Sequence, residues 1–162
     1  MNGLIKKCFR MLILAIICSF ISSISIIPSA FVQESEKISV AKIIFPLFFW
    51  IGLGLEQYFF WKSNVLRKKI LNACGFQEQK SKCGLISFAQ NKYATITDAT
   101  MIISLLFFLI LMIARVGENS AQYIFIFLLV LSFRLHTILN GKNFRYIIHF
   151  VKKEGKKDVK ND

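Results

Sequence analysis

The stretch "FIFLLVLSFRLHTILNGKNFRYIIHF", residues 125–150, begins as an apolar run suited to lipid and then takes up Arg134 and His136. A soluble domain distributes its apolar residues in short periodic groups, whereas here they form a long block. Ionisable side chains inside such a block are rare, because they are costly to place in hydrocarbon. The stretch therefore predicts a membrane-spanning helix whose inner part must meet other polar groups.

Three further apolar blocks precede this one in a chain of 162 residues that is 55% hydrophobic. Each block approaches the roughly 20 residues that a helix needs to cross about 30 Å of hydrocarbon. No internal repeat or long linker divides the chain, so we predict one all-α integral membrane domain over residues 1–162. Its four transmembrane helices are expected at approximately 11–31, 43–61, 96–115 and 121–140.

The basic residues predict how the chain crosses the membrane. Of the 21 Lys and Arg, 17 lie in three short segments: residues 1–10, 62–93 and 142–162. By the positive-inside rule these segments are cytoplasmic, which places both termini, a loop over 62–95 and a basic tail over 142–162 inside. Their expected partner is the anionic inner leaflet and not nucleic acid, since no segment is long enough to form a folded soluble surface. We expect a multi-pass protein of the plasma membrane, and the abundance of Lys, Ile, Phe and Asn is typical of an AT-rich microbial genome.

The first block permits two interpretations. Basic residues followed by an apolar core and "IPSA" resemble a cleaved secretory signal peptide. The core is longer than the usual 7–15 residues, however, and cleavage after Ala30 would put Pro28 three positions before the bond. Small residues also recur along one helical face, a pattern that supports packing of a retained helix in lipid. This helix-packing stripe comprises Ala15, Cys18, Ser22, Ser25 and Ser29. The sequence favours retention, and cleavage would leave three spans.

Two segments mix apolar and basic residues and are too short to cross. "GLISFAQNKYA" begins at Gly84, and the start of the tail places four apolar residues at helical spacing. Both are expected to lie along the inner membrane interface as short amphipathic segments. The four tail residues are Phe144, Ile147, Ile148 and Val151.

Four ionisable residues are expected at similar depth in the inner half of the bundle. Arg134 lies about 12 Å from the inner boundary at 1.5 Å per residue, and Glu56 and Asp98 lie about 9 Å from it, with His136 one layer below Arg134. We predict that Arg134 pairs with Glu56, because Gly52 one turn away would permit close approach of another helix; Asp98 is the other candidate. The sequence favours a salt bridge that fixes helix register. The functional alternative is a polar pocket for a solute, ion or proton, in which His136 could titrate near neutral pH.

The absence of known catalytic and metal-binding motifs narrows the range of possible functions. G-x-S-x-G, H-E-x-x-H and Walker-type sequences are absent, and neither the cysteines nor the acidic residues have the spacing of metal ligands. We therefore expect no enzyme activity, no cofactor and no metal. The predicted function is that of an accessory or assembly subunit acting through helix contacts, with another membrane protein or a second copy as partner. The alternative is an oligomeric protein for permeation of small solutes or ions, or a holin-like pore-former.

Overall fold

The computed structural model describes residues 2–28, 40–73, 88–114 and 120–147. Every regular element in these ranges is helical, and four helices are long and apolar enough to cross a membrane. The predicted all-helical class and the four candidate spans are thereby confirmed. The helices are α1 (Asn2–Ile24), α2 (Ala41–Ala73), α3 (Lys92–Ile113) and α4 (Ser120–Leu139).

Helix α1 packs along α2 and also contacts α4. One face of α1 is buried, and from Ile5 to Ser22 its members recur at alternating spacings of three and four, as expected for a helix with a single packed side; Ser23 adjoins this face. Towards the N-terminus this face is apolar, and further along the helix it is formed by small and hydroxyl side chains. The buried face comprises Ile5, Cys8, Leu12, Ala15, Ser19, Ser22 and Ser23.

Helix α2 is longer than the predicted span. At 33 residues it measures about 50 Å, well beyond the thickness of the hydrocarbon core. None of the residues from Ala41 to Leu55 is buried, whereas Glu56 and several residues after it are. The helix continues through residues 62–73, which the sequence analysis placed in the cytoplasmic loop, because Leu66 and Ile70 find apolar contacts there.

Helix α3 begins at Lys92, a few residues before the predicted start at 96. The side-chain oxygen of Asn91 accepts hydrogen bonds from the backbone N–H groups of Tyr93 (3.1 Å) and Ala94 (3.0 Å), so it caps the first turn. Helix α3 packs against α4 and exposes most of its surface. Its buried residues are Ala94, Asp98 and Ser104.

Helix α4 lies between the α1–α2 pair and α3, and it contacts both α1 and α3. After it ends, residues 142–147 form a further helical turn. Phe144 and Ile147, which the sequence analysis placed at the membrane interface, are instead buried in the main apolar cluster of the protein. They pack there because the C-terminal end of α2 continues far enough to offer an apolar surface. Ile148 and Val151 lie outside the described residues, as does most of the predicted basic tail.

Candidate functional site

Arg134 of α4 and Glu56 of α2 form an ion pair through Nη2 and Oε2. Both side chains are buried, with 7% and 2% of their surface exposed. Nη1 of Arg134 also donates to Oγ of Ser23 at 3.0 Å and reaches the carbonyl oxygen of Ser19 at 3.5 Å. The guanidinium group therefore joins α4 to both α1 and α2. We call Ser19, Ser23, Glu56 and Arg134 the arginine cluster.

The surroundings of the arginine cluster explain how two charges are accommodated away from water. The ring of Phe49 lies 5.7 Å from the guanidinium carbon, where its π face can attract the cation. A buried ion pair is tolerated when the two charges meet directly and further hydrogen bonds use the remaining donors. Arg134 meets the first condition through Glu56, and its Nη1 meets the second through the serines of α1, whereas its buried Nε has no hydrogen-bond partner among the described residues.

Close approach of two helices occurs one turn from this ion pair. A Cβ placed on Gly52 would overlap Cβ of Ser22 and would lie 3.3 Å from its Cα. Without a side chain at position 52, α1 and α2 come close enough for Ser23 and Glu56 to reach the same guanidinium group. This contact is the small-residue packing that membrane helices use in place of the hydrophobic effect.

Asp98 of α3 is the centre of a second group of polar contacts. Its Oδ1 lies 2.7 Å from Nδ1 of His136, and its Oδ2 accepts from the backbone N–H of Ala89 at 2.7 Å. The side-chain amide of Asn140 donates to the same carboxylate at 3.1 Å. Asp98, His136 and Asn140 are all at most 4% exposed. We call Ala89, Asp98, His136 and Asn140 the aspartate cluster.

The short contact between Asp98 and His136 requires a proton between them, because a carboxylate oxygen 2.7 Å from an imidazole nitrogen forms a hydrogen bond only in that case. The side-chain amide nitrogen of Asn140 lies 3.0 Å from the same Nδ1. When Asp98 is ionised it can only accept, as it does from Ala89 and Asn140, and Nδ1 of His136 then carries the proton. The ring of Phe88 lies 4.9 Å from the imidazole ring, so the histidine is held from a second side.

The aspartate cluster also fastens the chain before α3 to the end of α4. The backbone N–H of Gln90 donates to Oδ1 of Asn140 at 3.1 Å, and the side-chain amide of Asn91 donates to the carbonyl oxygen of Leu139 at 2.9 Å. Residues 90 and 91 thus join the start of α3 to the C-terminal end of α4.

The four ionisable residues expected together are therefore brought into two separate contacts. Arg134 and His136 are two positions apart on one helix, which places them about 200° apart around its axis. Arg134 faces α1 and α2, and His136 faces α3. Because α4 lies between them, the two clusters do not line one pocket. Instead, they attach α4 to each of its neighbouring helices.

The predicted packing stripe of α1 is only partly on the buried face. Ala15, Ser22 and Ser25 are buried, Cys18 is half-buried, and Ser29 lies outside the described residues. Ser19 and Ser23 are fully buried instead, and both contact Arg134. The sequence shows a hydroxyl-rich helix but not its rotation, because positions 18 and 19, and 22 and 23, offer similarly small side chains.

Other polar residues were missed or placed differently by the sequence. Gln57, which follows Glu56 directly in the sequence, is exposed. The backbone N–H of Ala89 cannot be inferred as a donor from the pattern of side chains, so its hydrogen bond to Asp98 could not be predicted. Arg67 and Asn143 are buried at 5% and 1% exposure, although charge and polarity alone favour the surface for both.

The described part of the chain contains no site for cysteine or metal chemistry. The thiol of Cys8 donates to the carbonyl oxygen of Ser63 at 3.3 Å, a contact that joins α1 to α2. Within the described ranges, no three His, Cys, Asp or Glu side chains are grouped so that they could hold a metal ion. Cys74 and Cys83 lie outside those ranges.

Comparisons with known proteins leave the geometry as the basis for any functional conclusion. No protein-family model matches the chain, and neither a curated protein nor a solved structure matches it.

Proposed function

We propose that this chain is a non-enzymatic accessory or assembly subunit of a microbial plasma membrane and that it acts through contacts between helices. The observation that carries the proposal is how the ionisable groups inside the bundle are used. Glu56, Asp98, Arg134 and His136 bond to one another and to neighbouring side chains and backbone groups within the chain. Such groups hold a bundle together, which leaves the outer surface to act on a partner.

The outer part of α2 supplies a surface suited to another helix. Its large apolar side chains Ile43, Leu47 and Trp50 are more than half exposed. On the same helix, a Cβ added to Gly54 would meet no atom within 4 Å, so this glycine forms a gap between bulky neighbours. In lipid, association depends on close backbone approach at small residues. The proposed partner is therefore a transmembrane helix of another membrane protein that packs over Gly54.

The proposed orientation has both termini in the cytoplasm and residues 1–30 retained. The charge distribution supports the orientation, with 17 of 21 basic residues assigned inside. The contacts of α1 support retention, because Ser19 and Ser23 accept from Arg134. Cleavage of this helix would remove both acceptors from a buried guanidinium group.

The separation of the two clusters favours an accessory subunit over a permeation protein. A pathway for ions or solutes requires polar groups in continuous sequence across the membrane. The arginine and aspartate clusters instead lie on opposite faces of α4, and their members bond within each cluster. This geometry supports helix fastening better than conduction.

The proposal is tested with a C-terminal affinity tag and purification in mild detergent. We expect a second membrane protein to co-purify with the natural sequence and to be lost with Gly54→Leu, which fills the gap. Gly3→Leu is the matched control, since a Cβ at Gly3 also meets nothing within 4 Å. The tag should be protease-sensitive only in inside-out vesicles. Equal recovery with both variants, recovery of a second copy alone, or a tag exposed outside would contradict the proposal.

A further inference from the structure

Residues 88–90 lie against one side of the aspartate cluster, and we call them the cover segment. The backbone N–H of Ala89 donates to Oδ2 of Asp98 at 2.7 Å, and the ring of Phe88 lies 4.9 Å from that of His136. Asp98 and His136 are at most 4% exposed, whereas Phe88 keeps 46% of its surface exposed. The cover segment is therefore an exposed piece of chain in direct contact with two buried ionisable groups.

Gln90 holds the cover segment in shape and fastens its edge. Its side-chain nitrogen donates to the carbonyl oxygen of Phe88 at 3.1 Å, which closes a turn around Ala89. Its backbone N–H donates to Oδ1 of Asn140 at 3.1 Å, and its side-chain oxygen accepts from Nη1 of Arg145 at 2.6 Å. The contact with Arg145 is exposed. The cover segment is thus one small unit that hydrogen bonds fasten to α3 and to the residues after α4.

Ala89 has an uncommon backbone conformation. Its φ is +53°, in the left-handed region, where the Cβ of an alanine is crowded by a neighbouring carbonyl oxygen. Such a conformation persists only where surrounding contacts enforce it, and it is concentrated at functional sites and switch regions. Here the hydrogen bonds to Asp98 and Asn140 enforce it. Release of these bonds would also release the strain.

The chain directly after the cover segment is fixed. Asn91 caps α3 through its side-chain oxygen, which accepts from the backbone N–H groups of Tyr93 and Ala94. Its side-chain nitrogen donates to the carbonyl oxygen of Leu139 at 2.9 Å. Since Asn91 is held by both helices, a movement of the cover segment can end there and leave α3 and α4 in place.

Opening of the cover segment would leave few groups without a partner. Asp98 keeps its contact with His136 and the hydrogen bond from Asn140. The N–H groups of Ala89 and Gln90 belong to exposed residues, so water can replace their acceptors. A polar group is costly to leave unbonded only where it stays buried without any partner. The closed and open forms therefore differ by little free energy, and the strain at Ala89 returns part of that difference.

We propose that residues 88–90 are a lid that opens at Asn91 and admits water to Asp98 and His136 while the four helices stay packed. When the lid is closed, it seals these side chains from water. When it is open, it exposes a carboxyl group and an imidazole group that can exchange protons with water. The lid thereby gives the α3–α4 pair two states without a change in helix packing. It is formed by this chain alone, so it is independent of the proposed partner and can be tested on the isolated protein.

Amide hydrogen exchange, followed by NMR on the isolated protein in detergent micelles, tests the opening. After correction for intrinsic rates, the amides of Ala89 and Gln90 should exchange at similar rates and about tenfold faster than that of Ala94, which lies beyond the fixed Asn91. Exchange of all three amides at one rate would show that the segment is released only when the start of α3 unravels, and would overturn the lid.

Two variants shift the lid in opposite directions. Ala89→Gly should slow exchange at Gln90 about threefold, because glycine adopts the left-handed conformation without strain and the closed form gains stability. Arg145→Gln removes one fastening and should speed it about threefold. Ala99→Gly is the matched control, since Ala99 is an exposed alanine in the regular part of α3, and it should leave Gln90 unchanged. Faster or unchanged exchange in Ala89→Gly would overturn the role of the strained alanine and with it the lid.

Chemical labelling measures access of water to the cluster. A water-soluble carbodiimide with an amine labels carboxyl groups that the solvent reaches, and peptide mass spectrometry gives the extent. Asp98 should be labelled faster in Arg145→Gln and more slowly in Ala89→Gly. Glu56 is the internal control, because it is as deeply buried but contacts the opposite face of α4, and its labelling should not change. Equal changes at Asp98 and Glu56 would indicate general loosening of the bundle, and unchanged labelling of Asp98 would show that the segment does not control access; either result would overturn the lid.

Discussion

The arginine cluster and the aspartate cluster lie on opposite faces of α4, and they differ in what compensates the buried charge. In the arginine cluster, the charge of Arg134 is met by a second full charge on Glu56. In the aspartate cluster, Asp98 is surrounded by three donors: a backbone N–H, a carboxamide and an imidazole N–H. The first arrangement depends on one partner, whereas the second is distributed over several.

This difference predicts unequal tolerance to substitution. Loss of one member of an ion pair leaves an uncompensated charge in a medium of low dielectric constant, and no neutral neighbour can replace the missing ion. Loss of charge from a carboxylate held by neutral donors leaves dipoles that can reorient. We therefore expect the arginine cluster to be fragile and the aspartate cluster to be adaptable.

The largest effect is expected from breaking the Glu56–Arg134 pair. Glu56→Gln or Arg134→Gln should each lower the free energy of unfolding by about 3–5 kcal/mol, because one buried charge remains unpaired. The double variant removes both charges and should recover much of the loss. Thermal unfolding in detergent measures all four proteins.

The charge swap is the control for this cycle. Glu56→Arg combined with Arg134→Glu should recover part of the stability, since it restores opposite charges at the same two positions. Additive losses in the double variant would show that the residues act independently and would reject the pair as the basis of the arginine cluster.

A smaller effect is expected from the helix contact that brings this pair together. Gly52→Ala should lower the free energy of unfolding by about 1–3 kcal/mol, because the new Cβ overlaps Ser22 on α1. Gly54→Ala is the matched control on the same helix and should leave the unfolding temperature of the isolated protein unchanged. Adding Ser22→Gly to Gly52→Ala should restore stability, and failure to do so would place the cost elsewhere.

Much of this architecture could be predicted from the sequence, since burial in lipid leaves little freedom. The number of spans follows from the lengths of the apolar blocks, and these blocks also set the depths of Glu56, Asp98, Arg134 and His136. A basic group in hydrocarbon requires an acidic partner that lies at a similar depth in the membrane. Depth alone does not choose between Glu56 and Asp98, however, because that choice depends on the direction in which each face of α4 points.

The remaining features depend on helix rotation and on backbone groups, which hydropathy does not record. Whether Cys18 or Ser19 faces Arg134 is decided by a rotation of one residue, and both are small enough for lipid packing. The continuation of α2 to Ala73 depends on apolar contacts with Phe144 and Ile147, residues that are distant in sequence. The hydrogen bond from the backbone N–H of Ala89 to Asp98 depends on the position of the backbone, which no side-chain pattern encodes.

The smallest effect is expected in the aspartate cluster, from Asp98→Asn. The new amide keeps one oxygen to accept from the N–H of Ala89, and its nitrogen can donate to Nδ1 of His136 once the imidazole proton moves to Nε2. The bond from Asn140 is then the main loss, so we expect a decrease of about 1 kcal/mol in the free energy of unfolding, near the value of a single hydrogen bond. Asp98→Leu supplies the contrast, because it removes the acceptor that Ala89, His136 and Asn140 share and should lower stability considerably more. Thermal unfolding of both variants beside Glu56→Gln measures the difference. If Asp98→Asn is as damaging as Glu56→Gln, the carboxylate charge itself is required, His136 acts as a cation, and both faces of α4 are held by ion pairs of the same kind.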